Sequence, residues 1–215
     1  KCLDSIDSKI KVIIIENSKK FNDKNYFLKR YNNLRIYCSG LNLGYAKGNN
    51  YGFRKIKTKY ALVLNPDSIC NKNFFIKLNE IFCQINDFHL IGCKFSNRSY
   101  SKQAGYFDKH KIKKLESLSK VDWIKGFSVI VNLNKFKSKK IFDENYFLFF
   151  EEIDLCKKIT NKIGDIYFSK KLSVSHLGFK SSTGRTKDDL KDLENLKNWH
   201  YMWSRFYFYK KNYGY

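Results

Sequence analysis

Lys11-Val12-Ile13-Ile14-Ile15-Glu16-Asn17-Ser18 is the stretch whose reading decides the fold. A continuous β-branched run with no polar alternation is the pattern of a strand covered on both faces. It stops abruptly in polar residues. Outward from it, similar short runs recur at Leu34–Cys38, Tyr60–Leu64 and Leu90–Phe95. Helical patterns lie between them, at 25–31, at 46–56, and through Phe74, Phe75, Leu78, Ile81 and Phe82. Strands alternating with helices predict an α/β chain with a mostly parallel sheet flanked by helices.

The second half changes character. A strand is expected at 127–132, and a helix at 153–163 closed by Gly164 as the residue after its C-cap. Short strands are expected at 166–168 and 172–175, then a long aromatic-rich helix at 188–211. In open α/β sheets ligands sit beyond the carboxyl ends of the strands. Functional residues are therefore sought directly after them.

Composition limits the function classes. The 215 residues fit one domain of ordinary size, and 43% hydrophobic residues with 17% aromatics are enough for a core. A single proline and 11 glycines argue against a linker-rich or disordered chain. No run of about 18 apolar residues occurs, so no segment reads as a membrane span. The net charge of +22 favours polyanionic partners, although lysine is scattered through every segment rather than gathered in a patch. Six cysteines lack any metal-finger spacing. Cys83 and Cys93, each among apolar residues, read as small core side chains.

Five segments can carry chemistry, and each has a structural alternative. Glu16, Asn17 and Ser18 follow the first strand, where they can bond a base or ribose, or simply cap the next helix. The glycines of Asn42–Gly52 lie at a loop-to-helix junction that allows close backbone approach to a phosphate or base, yet match neither dinucleotide nor Walker patterns. Asp67, after Leu64-Asn65-Pro66, can hold a divalent cation such as Mn²⁺ or Mg²⁺, or belong to a turn. Five acids fall within the fourteen positions from Phe142 to Leu155, wrapped in aromatics. Carboxylates beside apolar walls suit general bases, and those at a helix start also suit its dipole. His176, at a strand end before Gly178, Ser181 and Ser182, can ligate a metal, bind phosphate or be structural.

The order of ENS (16–18), NLGYAKGNNYG (42–52), LNPD (64–67), DWIKG (122–126), FDENYFLFFEEIDLC (142–156) and HLGFKSS (176–182) resembles the family 2 glycosyltransferases, in particular their rhamnosyltransferase-like branch. The resemblance implies a single GT-A domain over residues 1–185, with a Rossmann-like mixed sheet, and a C-terminal aromatic and basic helix at 186–215. It also implies a first strand carrying a Thr-Tyr-Asn-type turn, which this sequence does not contain. It further implies an inverting, metal-dependent transfer from a nucleotide diphosphate-sugar, dTDP-rhamnose or a UDP-sugar. The acceptor would be a glycan or lipid-linked hydroxyl in cell-surface polysaccharide or lipopolysaccharide synthesis.

By the same resemblance, Glu16 and Asn17 contact the nucleotide, and Asn42, Gly44, Ala46 and Asn49 form the donor loop. Asp67 and His176 hold the metal, with Asn65 standing where the family has a first aspartate. Trp123, Gly126 and Asp154 line the sugar and acceptor side. Glu152 is the catalytic base, with Glu151 the alternative. The family acts in the cytoplasm or on the inner face of the cytoplasmic membrane.

Aromatics from Trp199 to Tyr209, interleaved with His200, Arg205, Lys210 and Lys211, suit a helix in an anionic membrane interface, or one packed on the domain. A basic nucleic-acid-binding protein and an inactive nucleotide-sugar-binding homologue remain competing readings. No recognised nucleic-acid motif is present, so no nucleic acid is expected as a partner.

Overall fold

The computed structural model describes residues 1–96, 102–108, 115–176 and 187–214. In chain order its elements begin β1 (Val12–Glu16), α1 (Lys24–Arg30), β2 (Leu34–Cys38), α2 (Gly44–Lys55), β3 (Tyr60–Leu64), β4 (Ser68–Cys70) and α3 (Phe74–Gln84). They continue β5 (Leu90–Phe95), β6 (Ala104–Gly105), β7 (Leu118–Val121), β8 (Trp123–Ile124), β9 (Ser128–Asn132), α4 (Glu151–Thr160), β10 (Ile166–His176) and α5 (Lys187–Tyr213). The chain divides into two compact units.

The first unit comprises Lys1–Ile6, Thr58–Lys137 and Leu155–Ser182. Its sheet runs β3-β9-β5-β10-β4, with β7 also on β10. β3, β5 and β10 share one direction, because β9 is antiparallel to both β3 and β5 while β10 is parallel to β5. The result is a mixed α/β sheet whose main strands run the same way.

α3 covers this sheet with Phe74, Leu78 and Ile81, spaced i, i+4, i+7 and buried. Each such side chain contributes about 1.5–3 kcal/mol by leaving water. Tyr60, Phe82 and Phe88 stack beside them, with Tyr60 and Phe82 centroids 4.4 Å apart. Gly92 lets Ile124 pack directly on β5, since a Cβ there would stand 2.7 Å from the Ile124 Cγ2. Cys93 is buried as expected, but Cys83 is exposed. The face of α3 that meets the core is set by Phe74, Leu78 and Ile81, and position 83 lies off it.

Two expectations are corrected here. The segments at 166–168 and 172–175 form one strand, β10, with an irregularity between Ser169 and Ser173. Ser169 Oγ accepts from the Lys171 and Leu172 amides at 3.2 and 3.3 Å, which satisfies the backbone across the break. β10 can then pair β7 with its first residues and β4 with its last. At the end of α4, the left-handed residue is Ile163 (φ 57°) rather than Gly164. Gly164 is required for space, because a Cβ would meet Ile159 Cγ2 at 2.6 Å and His89 Cε1 at 2.9 Å.

The second unit comprises Asp7–Lys57, Ser138–Asp154 and Thr183–Tyr215. β1 and β2 pair in parallel, from Val12 opposite Leu34 to Glu16 opposite Cys38. α2 lies on β1 through Gly52, where a Cβ would come within 3.3 Å of Ile15 Cγ1. Among the described residues β1 pairs β2 alone, and its apolar residues are half-buried instead of fully covered.

Candidate functional site

The loop after β1 is built around one amide. Asn17 Nδ2 donates to Asn42 Oδ1 at 3.0 Å and to the Gly44 carbonyl at 3.1 Å, while its Oδ1 accepts from the Leu43 amide at 2.9 Å. Asn42 Oδ1 also accepts from the Gly44 amide at 3.0 Å. Glu16 closes β1, half-buried, beside this loop. Gly44 opens α2 at φ 74°, and a Cβ there would lie 2.4 Å from the Phe147 carbonyl oxygen. That carbonyl accepts the Tyr45 amide at 2.7 Å. The first two amides of α2 are thus satisfied inside the unit, and glycine is required at 44 by the approach of Phe147. Ala46 is fully buried under this turn. Asn49 returns its side chain to the Tyr45 carbonyl at 3.0 Å, within its own helix.

Asn50 is a residue the sequence reading missed. It is fully buried on α2. Its Oδ1 accepts from the Ile141 and Phe142 amides, both at 3.0 Å. Its Nδ2 donates to the Phe142 carbonyl at 2.9 Å and to Glu144 Oε1 at 3.1 Å. α2 and the start of the acidic aromatic block are therefore stitched together by one side chain. The available signal was an amide four residues after the buried Ala46, on the same helix face.

The acidic block ends in a wound backbone. Phe149 and Phe150 both adopt left-handed conformations, at φ 70° and 65°. Each such non-glycine residue costs about 1–3 kcal/mol and persists only when its surroundings hold it. Here Phe150 packs on Phe208 and Tyr201, and Ser204 Oγ donates to the Leu148 carbonyl at 2.8 Å.

Glu151 and Glu152 follow at once, in the first turn of α4. Glu151 is 5% exposed, and its Oε2 has no hydrogen-bond partner. Burial, and then the neighbouring charge of Glu152, push its carboxyl well above the usual range. Glu152 is half-buried. The Tyr45 hydroxyl is raised by burial first, then by Glu151 and Glu152, so the first turn of α2 lies within electrostatic reach of the acid pair.

Asp154 is buried and fully engaged. It accepts from Tyr146 Oη at 3.1 Å, Lys211 Nζ at 2.7 Å and Asn212 Nδ2 at 3.1 Å. Lys211 also reaches Asp143 at 2.8 Å, which Tyr207 Oη joins at 3.1 Å. Burial works to raise Asp143, but these hydrogen bonds and the lysine charge hold it below the ordinary value. Asp154 thereby fastens α5 to the acidic block.

Within the first unit, Asn65-Pro66-Asp67-Ser68 forms a turn after β3, with the Ser68 amide on the Asn65 carbonyl at 3.0 Å. Proline fits the second position of such a turn. Asp67 is 7% exposed. The antiparallel pairing of β10 with β4 sets His176 opposite Ser68, one residue from Asp67. Leu177 to Ser182 of the histidine motif lie outside the described residues. Among the described residues, no group of three or more His, Cys, Asp or Glu stands close enough to hold a metal. Trp123 is half-buried, and its Nε1 donates to the Tyr106 carbonyl at 3.3 Å. Gly126 is half-buried between β8 and β9.

No protein-family model matches the chain. A curated relative, the low-salt glycan biosynthesis hexosyltransferase Agl10 of Haloferax volcanii, is 27% identical over 142 residues, 59% of this chain and 46% of the relative. The chain thus spans about half the length of that relative. Among solved structures, GalNAc-T7 with UDP, GalNAc and Mn²⁺ matches at a TM-score of 0.60 and 11% identity, over 86% of this chain and 41% of the other. TarS 1–349 of S. aureus with UDP matches at 0.60 and 12% identity, over 93% of this chain and 60% of the other. The mannosyltransferase PcManGT of Pyrobaculum calidifontis, with GDP-Man and Mn²⁺, matches at 0.56 and 9% identity, over 88% and 60%. Strand order, helix placement and these superpositions agree on the architecture: the chain has the GT-A-type α/β fold.

Proposed function

We propose that this chain is the catalytic part of an inverting glycosyltransferase that moves a sugar from a nucleoside diphosphate-sugar to a hydroxyl acceptor. The observation that carries this reading is the joining of two loops in the second unit. The Asn42–Asn50 segment and the 141–154 acidic block meet through Tyr45, Asn50 and Phe147, with the acid pair electrostatically coupled to Tyr45. A donor-binding loop tied to a desolvated carboxylate pair is what a group transfer to a hydroxyl requires. The reading is supported by the curated hexosyltransferase relative and by neighbours that hold UDP, UDP-GlcNAc or GDP-Man.

In this reading Glu16 recognises the nucleotide, and Asn17, Asn42, Gly44, Ala46 and Asn49 shape its loop. Glu152 accepts the proton of the acceptor hydroxyl. The acceptor oxygen bonds to the anomeric carbon as the bond to the diphosphate oxygen breaks, and the nucleoside diphosphate leaves with the electron pair. Glu151, buried, has its carboxyl pushed well above the usual range by burial and by Glu152, which favours its neutral form beside that base.

Asp67, buried at the β3 turn, and His176, paired in register with the neighbouring Ser68, are the residues that would hold Mn²⁺ or Mg²⁺. When bound, a divalent cation neutralises charge on the leaving diphosphate. The donor is dTDP-rhamnose or a UDP-sugar, and the acceptor a cell-envelope glycan or lipid-linked saccharide at the inner face of the cytoplasmic membrane. α5, within 186–215, belongs to the second unit and holds the acidic block through Ser204 and Lys211.

The test is Glu152→Gln assayed for glycosyl transfer with Mn²⁺ and a panel of nucleotide-sugars. Transfer is expected to fall by about 10²–10⁴-fold while donor binding by calorimetry persists. Transfer at the parent rate in the variant would remove Glu152 as the base. Absence of donor binding in the parent chain would remove the whole reading.

A further inference from the structure

The two sides of α5 differ sharply. One side packs on the acidic block: His200 stacks on Phe147 at 4.4 Å, Ser204 and Phe208 are buried, and Lys211 pairs with Asp143 and Asp154. The opposite side carries Trp199, Met202, Trp203, Phe206, Tyr209 and Tyr213, every one of them between 43% and 63% exposed. Their spacing of three and four residues places them on a single continuous arc, about 20 Å long at helical rise. Trp199 and Trp203 stack flat against each other, 6.3 Å apart and 10° from parallel, so the arc is preformed.

The charge around this arc selects its occupant. From Leu196 to Tyr213 the sequence has no acidic residue, and exposed Arg205 and Lys210 lie beside the aromatic arc. The chain as a whole carries +22, which opposes self-association and favours an anionic surface. Tryptophan and tyrosine, apolar with one polar tip, are the residues that settle at the level of lipid headgroups. No described helix is long and apolar enough to cross a membrane, so this one would lie on the surface.

We infer that the outer arc of α5, from Trp199 to Tyr213, is a docking surface for an anionic lipid interface. The inner side of the same helix holds the acidic block, so docking sets that block at a fixed height over the lipid. Combined with the function proposed above, this makes the acceptor a lipid-borne one. The docking itself does not depend on that function.

The experiment is flotation of the full chain with vesicles of phosphatidylcholine plus phosphatidylglycerol, against phosphatidylcholine alone, without donor or acceptor. The chain is expected to float with the anionic vesicles, more weakly at high salt, and tryptophan emission to shift to the blue. Trp199→Ser/Trp203→Ser/Phe206→Ser is expected to lower partitioning by at least about tenfold with unchanged far-UV circular dichroism. Arg205→Glu/Lys210→Glu is expected to lower it only on the anionic vesicles. Quenching of the parent chain's tryptophans by bromine-labelled lipids gives a readout that needs no variant, and quenching is expected. The inference is overturned if the parent chain stays unbound, if no quenching occurs, or if the triple variant floats equally well. It is also overturned if light scattering shows the arc buried in a dimer that excludes vesicles. A failure of glycosyl transfer leaves these readouts unchanged, so the two readings fall separately.

Discussion

The two units hold polar residues at the ends of their strands by different means. In the first, ladders set the positions: β10 pairs with β5, β7 and β4, and this register sets His176 opposite Ser68, one residue from Asp67. Beneath the ladders is an apolar core formed by α3, β5 and β10. In the second, among the described residues, one parallel pair is the whole sheet, and the loops beyond it are held by side chains bonded to main chain. Asn17 holds Leu43 and Gly44, Asn50 holds Ile141 and Phe142, and Ser204 holds Leu148. The lesson is that volume decides the first unit and hydrogen-bond geometry the second.

Four substitutions break or sharpen that contrast. The largest effect is expected from Gly44→Ala, which puts a methyl into the Phe147 backbone at a left-handed position. It should lower stability by about 3 kcal/mol or more in urea unfolding. Asn50→Leu keeps the volume and deletes the bonds, leaving buried amides and a carbonyl unpaired; a loss of about 3 kcal/mol is expected by the same measurement. Were Asn50→Leu tolerated, the contrast would collapse.

Glu151→Gln tests the third point through pH. The raised carboxyl keeps its proton in the folded chain where an unfolded chain has lost it. Stability from this group is therefore complete below the ordinary glutamate range and declines as pH rises through the raised value. The glutamine variant should remove that decline, melting higher than the parent at neutral pH and no higher in acid. The smallest effect belongs to the first unit. Leu172→Met, an apolar exchange at a fully buried site, should cost less than about 1.5 kcal/mol.

Legibility in the sequence follows the same divide. β2, β3 and β5 were readable to the residue, because short apolar runs between breakers can hardly be anything but strands. The single break in β10 was not, since a serine hydroxyl bridging two amides leaves no periodic trace. The candidate segments were visible as polar interruptions after strands. Their fastening was hidden: Lys211 reaches Asp143 across 68 positions, and Asn50 reaches Phe142 across 92. Phe149 and Phe150 were the least readable, because aromatic residues seldom take a left-handed backbone and nothing local requests it.

That pair of wound phenylalanines ties distant chemistry to a helix that offers no reacting group. The rings of Phe149 and Phe150 lie against Tyr201 and Phe208, contacts that help hold the two strained residues in place. Loosen the helix, and the backbone at 149 and 150 relaxes toward commoner angles, turning the two glutamates that come next. Damage to α5 would then surface as misaimed carboxylates as well as lost stability.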